Sequence, residues 1–450
     1  MLYESRNPAT GELLHTFEFH AFPDITVSES AHTKWKQTSI EERNRYLQQL
    51  AQLLKERKKE LAAIITLEMG KPLREAEYEI EKSLTLFDYY GSHASKFLAP
   101  QIIETAASRS YITYEPMGII FCIMPWNFPF WQVLRFAVPA LYAGNAVILK
   151  HAPSVPQCAQ AIEQLFTDAG FENGIFKNYF LSNADAANLI AHPQIRGTSF
   201  TGSDTTGSII AAQAGKHLKK VVMELGGNDA FIVLKDAHIP TTVAGAIKSR
   251  SINAGQACNG AKRFIVVKEK IEAFTQELTQ AVFALQVGNP LENSTQIGPL
   301  ARKDLQQKVL QQIENSIAQG AVAHRSPQSI PAIGNYVCPT ILTQVKPGNT
   351  AFEEEIFGPV FSIVKAENEQ HAVTLANQSK YGLGASIWTS DLAQAEALIP
   401  QIESGNVFVN DIVKSDVRLP FGGIKQSGYG RELSEYGLKE FVNIKTVFIK

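Results

Sequence analysis

The sequence predicts an α/β protein built from two doubly wound, mostly parallel sheets. Strand-like and helix-like segments alternate between residues 118 and 225, and the alternation restarts after Gly227. Strands that alternate with helices are joined by crossover connections, which give parallel sheets. The chain has 450 residues, too many for one ordinary hydrophobic core, so two or more domains are expected.

The individual elements follow from the hydrophobic pattern. Apolar residues near helical spacing predict a long helix over 40–69, which Gly70 and Pro72 end, and a second helix over 73–97. Strands are then expected at 111–114, 118–124, 143–150 (after a turn), 176–180, 197–200 and 220–225, with helices at 155–169, 185–191 and 205–214. The second unit has expected strands at 229–234 and 263–267 and helices at 244–253 and 271–285. A terminal strand is expected over 441–449, of a kind that often pairs with another element or subunit.

Composition and charge exclude several classes of function. The formal net charge is -2, so no basic excess favours nucleic acid or an anionic membrane. No apolar run approaches the roughly 18 residues of a membrane helix, and the N-terminal residues show no signal peptide. The four cysteines are too few and too widely spaced for a disulfide scaffold or a zinc site. A cytoplasmic, metal-free protein is therefore expected.

Cys258 is the residue that most strongly indicates chemistry. It lies in Asn-Ala-Gly-Gln-Ala-Cys-Asn-Gly, residues 253–260, a setting that suits a presented thiol better than a core position. The thiolate is the reactive form of cysteine. Glu224 ends an apolar run just before Gly226 and Gly227. A presented thiol and a strand-end carboxylate suggest covalent catalysis on a carbonyl group.

Six short motifs occur in order along the chain. They are Pro125-Trp126-Asn127-Phe128-Pro129, Ser199-Phe200-Thr201-Gly202-Ser203, Glu224-Leu225-Gly226-Gly227, Gly255-Gln256-Ala257-Cys258, Glu354-Glu355-Ile356-Phe357-Gly358-Pro359 and Pro420-Phe421-Gly422-Gly423. Each is weak alone, but together they make the chain resemble the NAD(P)-dependent aldehyde dehydrogenases over essentially its whole length. The resemblance implies an NAD(P)-binding domain (1–98 and 117–226), a catalytic domain (227–427) and a small β oligomerisation arm (99–116 and 428–450). It also implies a homodimer or homotetramer.

The resemblance assigns four residues to the chemistry. Cys258 would add to the aldehyde carbon and carry a thioester that water releases. Asn127 would form an oxyanion hole with the backbone N–H of Cys258, although an asparagine between prolines also suits a turn. Glu224 would accept a proton from the deacylating water, and its structural alternative is a salt-bridged strand end. Glu432 matches a second glutamate thought to assist proton relay.

The predicted cofactor site lacks the usual dinucleotide motif, because no Gly-x-Gly-x-x-Gly is present. A Gly-Ser pair instead follows a strand and opens a helix, whose N-terminus would favour a pyrophosphate. Many NAD-preferring relatives carry a glutamate three residues after Lys150, where this chain has Pro153, so NAD and NADP both remain open. The structural alternative for Lys150 is a strand-end lysine. The resemblance implies cofactor contacts from Trp126, Lys150, Gly202, Ser203, Glu355 and Phe357.

The prediction of the substrate depends on Arg135 and Ser415. Arg135 lies eight residues after Asn127, and an arginine near an active-site element costs desolvation unless it meets an anion. Ser415 lies five residues before the Pro-Phe-Gly-Gly motif. Succinate-semialdehyde dehydrogenases have an arginine and a serine at these positions, so the resemblance implies a small-molecule aldehyde with a carboxylate at its other end. The alternative for Arg135 is a structural salt bridge.

The sequence thus favours oxidation of succinic semialdehyde to succinate, and the resemblance is greatest to bacterial succinate-semialdehyde dehydrogenases. Glutarate semialdehyde or a neutral aliphatic aldehyde is the alternative substrate. CoA could attack the thioester instead of water, but the presence of Glu224 argues for hydrolysis. A non-catalytic structural or binding protein on the same fold is the remote alternative, and the presence of both Cys258 and Glu224 argues against it.

Overall fold

The structure, a computed structural model, describes residues 2–450. Its helices are α1 (Thr26–Trp35), α2 (Ile40–Glu56), α3 (Lys58–Met69), α4 (Leu73–Phe97), α5 (Pro129–Tyr142), α6 (Pro156–Asp168), α7 (Asn183–Ala191), α8 (Asp204–Lys216), α9 (Ile239–Ser251), α10 (Ile271–Phe283), α11 (Lys303–Ala318), α12 (Thr350–Glu353), α13 (Glu369–Asn377), α14 (Leu392–Leu398) and α15 (Ser434–Lys439). Its strands are β1 (Leu2–Arg6), β2 (Leu13–Glu18), β3 (Gln101–Ile102), β4 (Arg109–Pro116), β5 (Ile119–Met124), β6 (Ala146–His151), β7 (Phe176–Asn178), β8 (Ile195–Thr201), β9 (Lys220–Glu224), β10 (Ala230–Val233), β11 (Arg263–Val267), β12 (Val322–Arg325), β13 (Thr340–Val345), β14 (Val360–Ala366), β15 (Tyr381–Gly382), β16 (Gly384–Trp388), β17 (Asn406–Val409), β18 (Ile424–Lys425), β19 (Gly428–Tyr429) and β20 (Val442–Ile449). Short 3-10 helices cover Ile252–Gly255 and Ile399–Gln401.

The first large sheet has six strands in the order β19-β9-β8-β5-β6-β7. Its pairings are parallel except for that of β19 with β9. Successive residues of a strand point to opposite faces. Accordingly, Ile120 and Cys122 of β5 pack into a core shared with α2 to α6, whereas Ile119 and Phe121 pack into a core shared with α7 and α8. Apolar layers on both faces make this sheet doubly wound.

The second large sheet has seven strands in the order β12-β13-β14-β11-β10-β16-β17. Again all pairings are parallel except one at the edge, between β12 and β13. Its central strands β10 and β11 are buried along their whole length, as expected for a parallel sheet covered on both faces. The two sheets confirm the predicted α/β fold class.

The C-terminal strand β20 pairs antiparallel with β4, and β3 completes a three-stranded sheet. The predicted terminal strand is therefore present, and its partner is another strand of the same chain. Ile444 and Phe448 of β20 leave 60% and 58% of their surface exposed. Among residues 2–450, no helix is long and apolar enough to cross a membrane.

The prediction of one helix over 40–69 is wrong in detail, because the chain forms two helices that meet at Arg57. Arg57 has φ and ψ of -93° and 11°, outside the helical values. The Arg57 guanidinium forms ion pairs with Glu60 at 2.7 Å and with Asp168 at 3.1 Å. Leu54 and Leu61 stay buried on either side, so the apolar spacing continues across the break and conceals it.

Glu79 of α4 anchors the start of α5. Its Oε1 accepts hydrogen bonds from the N–H groups of Phe130 at 2.9 Å and Trp131 at 3.0 Å, and its Oε2 forms an ion pair with the buried Lys71. The first N–H groups of a helix have no partner within it and carry the positive end of the helix dipole. One carboxylate thus satisfies two of these groups and fixes the helix that carries Arg135.

Substitution of Glu79 by alanine is expected to lower the free energy of unfolding by about 3–5 kcal/mol, because it leaves the Lys71 charge buried without a partner. Glu81→Ala is the matched control on the same helix, since Glu81 pairs with Lys58 at 2.6 Å on the surface. Loss of such an exposed pair costs less than about 1 kcal/mol. Thermal and urea unfolding measure both variants, and equal losses would contradict the anchoring role.

Candidate active site

A cavity of about 900 Å³ lies at the carboxyl ends of β5, β6 and β8, the edge at which doubly wound sheets bind ligands. This volume is in the range of cofactor sites, about 300–1,000 Å³. Eight residues predicted for the site line it: Trp126, Asn127, Lys150, Gly202, Ser203, Cys258, Glu355 and Phe357. Four others predicted for the site do not line it: Arg135, Glu224, Ser415 and Glu432.

The loop that carries Cys258 has an uncommon backbone. Asn253 and Ala254 have φ angles of 54° and 52°, in the left-handed region. Glu75 of α4 holds this bend, because its Oε2 accepts a 2.7 Å hydrogen bond from the Asn253 N–H. The Asn253 side chain donates from Nδ2 to the Asn127 carbonyl oxygen at 2.8 Å. These bonds fix the loop against the segment that contains Asn127.

The Cys258 thiol is held in its protonated form in the free protein. Burial raises the pKa of Cys258 to about 11. The positive charges of Lys262 and Arg135 oppose this increase in pKa, while the negative charges of Glu224 and Glu355 add to it. Formation of the thiolate therefore requires a base or additional positive charge near the sulfur.

Asn127 lines the same cavity as Cys258. Its side chain is 5% exposed, and Nδ2 donates to the Gln256 carbonyl oxygen at 3.1 Å. A primary amide carries two N–H donors, so one is held by Gln256 and the second is available to a ligand. The arrangement suits stabilisation of a negative oxygen on a carbon bonded to Cys258.

Glu224 is a buried carboxyl group without a hydrogen-bond partner among the described residues. Burial raises the pKa of Glu224 well above its ordinary range, and the negative charge of Glu432 raises it further. Arg135 and Arg431 oppose this shift. A Cβ atom at Gly422 would lie 2.9 Å from Oε1, so the glycine leaves room for the carboxyl group. These surroundings therefore favour the protonated form of the Glu224 carboxyl group.

Arg135 forms an ion pair with Glu432 inside the protein. The two side chains are 2% and 4% exposed. The pKa of Glu432 is raised, because burial outweighs the charge and hydrogen bond of Arg135, which lower it. Nε of Arg135 has no hydrogen-bond acceptor within residues 2–450. The structure thus brings together Arg135, Glu224 and Glu432 in one buried group, while the charges of Arg135 and Glu224 also act on Cys258.

Lys150 is a buried cation that lines the cavity without an ion-pair partner among the described residues. Burial lowers the pKa of Lys150 to about 8. Its Nζ lies 5.8 Å from the centroid of the Tyr3 ring. Pro153 lines the same cavity and supplies no carboxylate. A buried ammonium group without an ion-pair partner can donate hydrogen bonds to the hydroxyl or phosphate oxygens of a nucleotide.

Gly202 and Ser203 place the first turn of α8 at the cavity. Ser203 caps the helix, because its Oγ accepts a 3.2 Å hydrogen bond from the Thr206 N–H. A Cβ atom at Gly202 would overlap the ring of Phe200. The glycine therefore lets the Phe200 ring pack against the turn that begins α8, and the N-terminus of this helix fits the pyrophosphate of a dinucleotide.

Glu355 lines the cavity, and its carboxylate packs against Gly226 and Gly227. Its Oε1 accepts a hydrogen bond from the Gly227 N–H at 3.2 Å and forms an ion pair with Lys262 at 3.2 Å. A Cβ atom at Gly226 would lie 2.7 Å from Oε2 of Glu355. Phe357 packs edge to face on Trp126, with ring centroids 5.9 Å apart and planes at 90°. Carboxylate and aromatic surface thus line the same cavity.

Ser415 lies in a loop that contacts the Cys258 loop. Asn259 donates from Nδ2 to the Val413 carbonyl oxygen at 3.1 Å. The Ser415 hydroxyl oxygen accepts a 2.7 Å hydrogen bond from Nζ of Lys82, on α4. Ser415 is therefore beside the nucleophile loop, away from the cavity that holds the predicted cofactor residues.

Two lysines were missed by the sequence interpretation. Lys262 follows the nucleophile by four residues, is buried, and donates to the Ala257 carbonyl oxygen at 2.9 Å. A lysine directly before an apolar strand was the signal for it. The signal for Lys82 was its spacing, because Glu75, Glu79 and Lys82 recur at intervals of four and three, which place them on one helix face.

Comparisons with known sequences match the whole chain. The model of the aldehyde dehydrogenase family matches residues 2–447. A probable succinate-semialdehyde dehydrogenase [NADP(+)] of Synechocystis is 43% identical over 447 residues, 98% of each chain. Succinate semialdehyde dehydrogenase [NAD(P)+] Sad of Escherichia coli is 43% identical over 99% of this chain and 97% of its own.

Solved structures match equally well. The structure of Gox0499 has a TM-score of 0.98 and 43% identity, with 100% of both chains covered. Succinic semialdehyde dehydrogenase from Streptococcus pyogenes, in complex with NADP+, has a TM-score of 0.96 and 38% identity over 99% of each chain. These matches extend over both large sheets and every site residue described above, and this chain is therefore a member of the aldehyde dehydrogenase family.

Proposed function

We propose that this protein oxidises succinic semialdehyde to succinate with NAD+ or NADP+. The proposal depends on one observation. Cys258 and Asn127 line the same cavity as the residues that are predicted to contact the cofactor. Four relatives at 40–43% identity are named as succinate-semialdehyde dehydrogenases, three of them with NADP(+) and one with NAD(P)+.

The chemistry proposed for Cys258 starts with addition of its sulfur to the aldehyde carbon. The carbonyl oxygen becomes negative, and the free N–H of Asn127 and the backbone N–H of Cys258 would stabilise it. One such donor is typically worth about 3 kcal/mol. A bound nicotinamide cofactor supplies the hydride acceptor that turns the thiohemiacetal into a thioester.

Release of succinate requires water to attack the thioester. Glu224 is the proposed base, because it is the buried carboxyl group whose charge acts on Cys258 and whose oxygens lack partners among the described residues. A carboxyl group with a raised pKa suits proton exchange near neutral pH. Glu432 is proposed to take part in the relay through its charge on Glu224.

The residues proposed to hold the cofactor fit a dinucleotide. Lys150 would contact the adenosine ribose or its phosphate, and Gly202 and Ser203 would receive the pyrophosphate at the start of α8. Glu355 and Phe357, with Trp126, would hold the nicotinamide ribose and ring. Without a carboxylate at Pro153, the site does not repel a 2′-phosphate, so both cofactors are proposed to bind.

The substrate carboxylate is proposed to bind between Arg135 and Ser415. Nε of Arg135 is a buried donor without an acceptor among the described residues, and such groups are normally satisfied by a ligand or water. Ser415 offers a hydroxyl group beside the Cys258 loop.

The predicted division into three parts is also proposed: a cofactor domain (1–98 and 117–226), a catalytic domain (227–427) and an arm (99–116 and 428–450). Exposed apolar side chains on β20 support assembly of the arm into a homodimer or homotetramer, because large apolar surfaces favour association. All four cysteines are free, which supports a cytoplasmic location.

The first test compares succinic semialdehyde with butanal, which has the same carbon chain and no carboxylate. With either cofactor, kcat/KM for succinic semialdehyde is expected to be about 10-fold to 100-fold higher, the effect of one charge-assisted contact. Initial rates of NAD(P)H absorbance measure it. Equal values for the two aldehydes would refute the proposed substrate, and no absorbance with a panel of aldehydes would refute the activity.

Replacement of Cys258 by alanine removes the nucleophile and is expected to lower kcat at least about 10³-fold. Cys338→Ala is the matched control, because Cys338 is a half-buried thiol whose sulfur donates to the Ser326 carbonyl oxygen at 3.4 Å, outside the cavity. Its kcat is expected to stay within about twofold of the unsubstituted protein, in line with substitutions away from a site. Substantial activity in Cys258→Ala would exclude covalent catalysis.

Glu224→Gln is expected to block deacylation, so that a thioester on Cys258 accumulates and is detected by intact mass. In the unsubstituted protein, the base form of Glu224 appears only as pH rises through its raised pKa, so the hydrolysis rate should increase with pH. Glu224→Gln should lose this dependence. Unchanged turnover with an unchanged pH profile would assign the base to another group.

A further inference from the structure

Lys82 is a half-buried cation at the substrate end of the site. Its Nζ donates to the Ser415 hydroxyl oxygen at 2.7 Å and lies 4.3 Å from the centroid of the Trp131 ring. The Ser415 loop is tied to the nucleophile loop through Asn259. The pKa of Lys82 is lowered to about 8, first by burial and then by the positive charges of Arg135 and Lys71, while Glu79 and Cys258 act in the opposite direction.

No carboxylate forms an ion pair with Lys82 within residues 2–450. The acidic groups near it on α4 and in the Ser415 loop have other partners, and the adjacent Glu81 pairs with Lys58 at 2.6 Å. Glu79 pairs with Lys71, and Asp416 pairs with Arg418 at 2.6 Å. A hydroxyl group and an aromatic face stabilise an ammonium group less than an anion does. Lys82 is therefore a desolvated charge whose counter-ion is missing from the chain.

The neighbouring Arg135 differs from Lys82 in this respect. Its charge is offset by Glu432, with which it forms an ion pair. Burial favours the neutral form of Glu224, the other carboxyl group of this interior. Arg135 therefore has a carboxylate partner, whereas Lys82 has none among the described residues.

We propose that Lys82 is a specificity-determining residue that binds the carboxylate of the substrate, together with Ser415 and beside Arg135. The substrate would supply the missing counter-ion, so that a neutral aldehyde of the same length would leave Lys82 unpaired. This inference rests on the proposed function, because it requires a substrate with a carboxylate opposite its aldehyde. A merely structural Lys82 would tie the Ser415 loop to α4 and would affect all aldehydes alike.

The test measures kcat and KM for succinic semialdehyde and for butanal at saturating NADP+ or NAD+, whichever the unsubstituted protein uses. Lys82→Met keeps the apolar stem and removes the charge. We expect KM for succinic semialdehyde to rise about 10-fold to 100-fold and kcat/KM for butanal to change less than about threefold. Lys96→Met is the control, because Lys96 is an exposed lysine on the same helix. Its two kcat/KM values are expected to match those of the unsubstituted protein.

Two further variants keep the test decisive. Lys82→Gln retains a hydrogen-bond donor to Ser415 without the charge, and should match Lys82→Met if the charge binds the substrate. Lys82→Arg should restore most of the preference for succinic semialdehyde.

Equal losses for both aldehydes, or no loss for either, would overturn the role of Lys82. Failure of the proposed substrate is seen separately, as equal kcat/KM for the two aldehydes in the unsubstituted protein.

Discussion

Arg135 and Glu432 form an ion pair in the protein interior, and the charges around Cys258 depend on this pair. Two carboxyl groups share the interior, and two nearby like charges cannot both be buried without a large cost. Burial raises the pKa of Glu224 well above its ordinary range, and the negative charge of Glu432 raises it further. The charge of Glu432 thus adds to burial in favouring the protonated form of Glu224, whose own charge acts on Cys258.

The buried lysines near Cys258 and along the cavity differ in whether a carboxylate of the chain compensates their charge. Lys262 is paired with Glu355 at 3.2 Å, so its charge is compensated within the chain. Lys150, which lines the cavity, and Lys82, which contacts Ser415, have no such partner among the described residues, and the pKa of each is lowered to about 8, chiefly by burial. Two desolvated ammonium groups destabilise the free protein, and an anionic ligand at each of them would remove that cost. Cofactor and substrate binding are therefore expected to stabilise the fold.

Local patterns predicted most of the fold, since apolar runs and glycine or proline stops reflect interactions between nearby residues. The break at Arg57 was missed because the apolar spacing continues through it. The site was predictable where a family motif spans neighbouring residues, as at Asn127 and Cys258. The contact of Lys82 with Ser415 joins residues 333 positions apart, and the Arg135–Glu432 pair is similarly distant, so no local pattern could show either.

Helix α4 connects these distant parts through one face. Glu75 holds the bend before Cys258, Glu79 holds the start of the helix that carries Arg135, and Lys82 reaches the Ser415 loop. Seven residues of helix span about 10 Å, and successive residues differ by about 100° around the axis. A shift of α4 by one residue would therefore turn all three side chains away from their partners together. One helix thus positions the Cys258 loop, the start of α5 and the Ser415 loop, and its buried Glu79 is tolerated because Lys71 pairs with it.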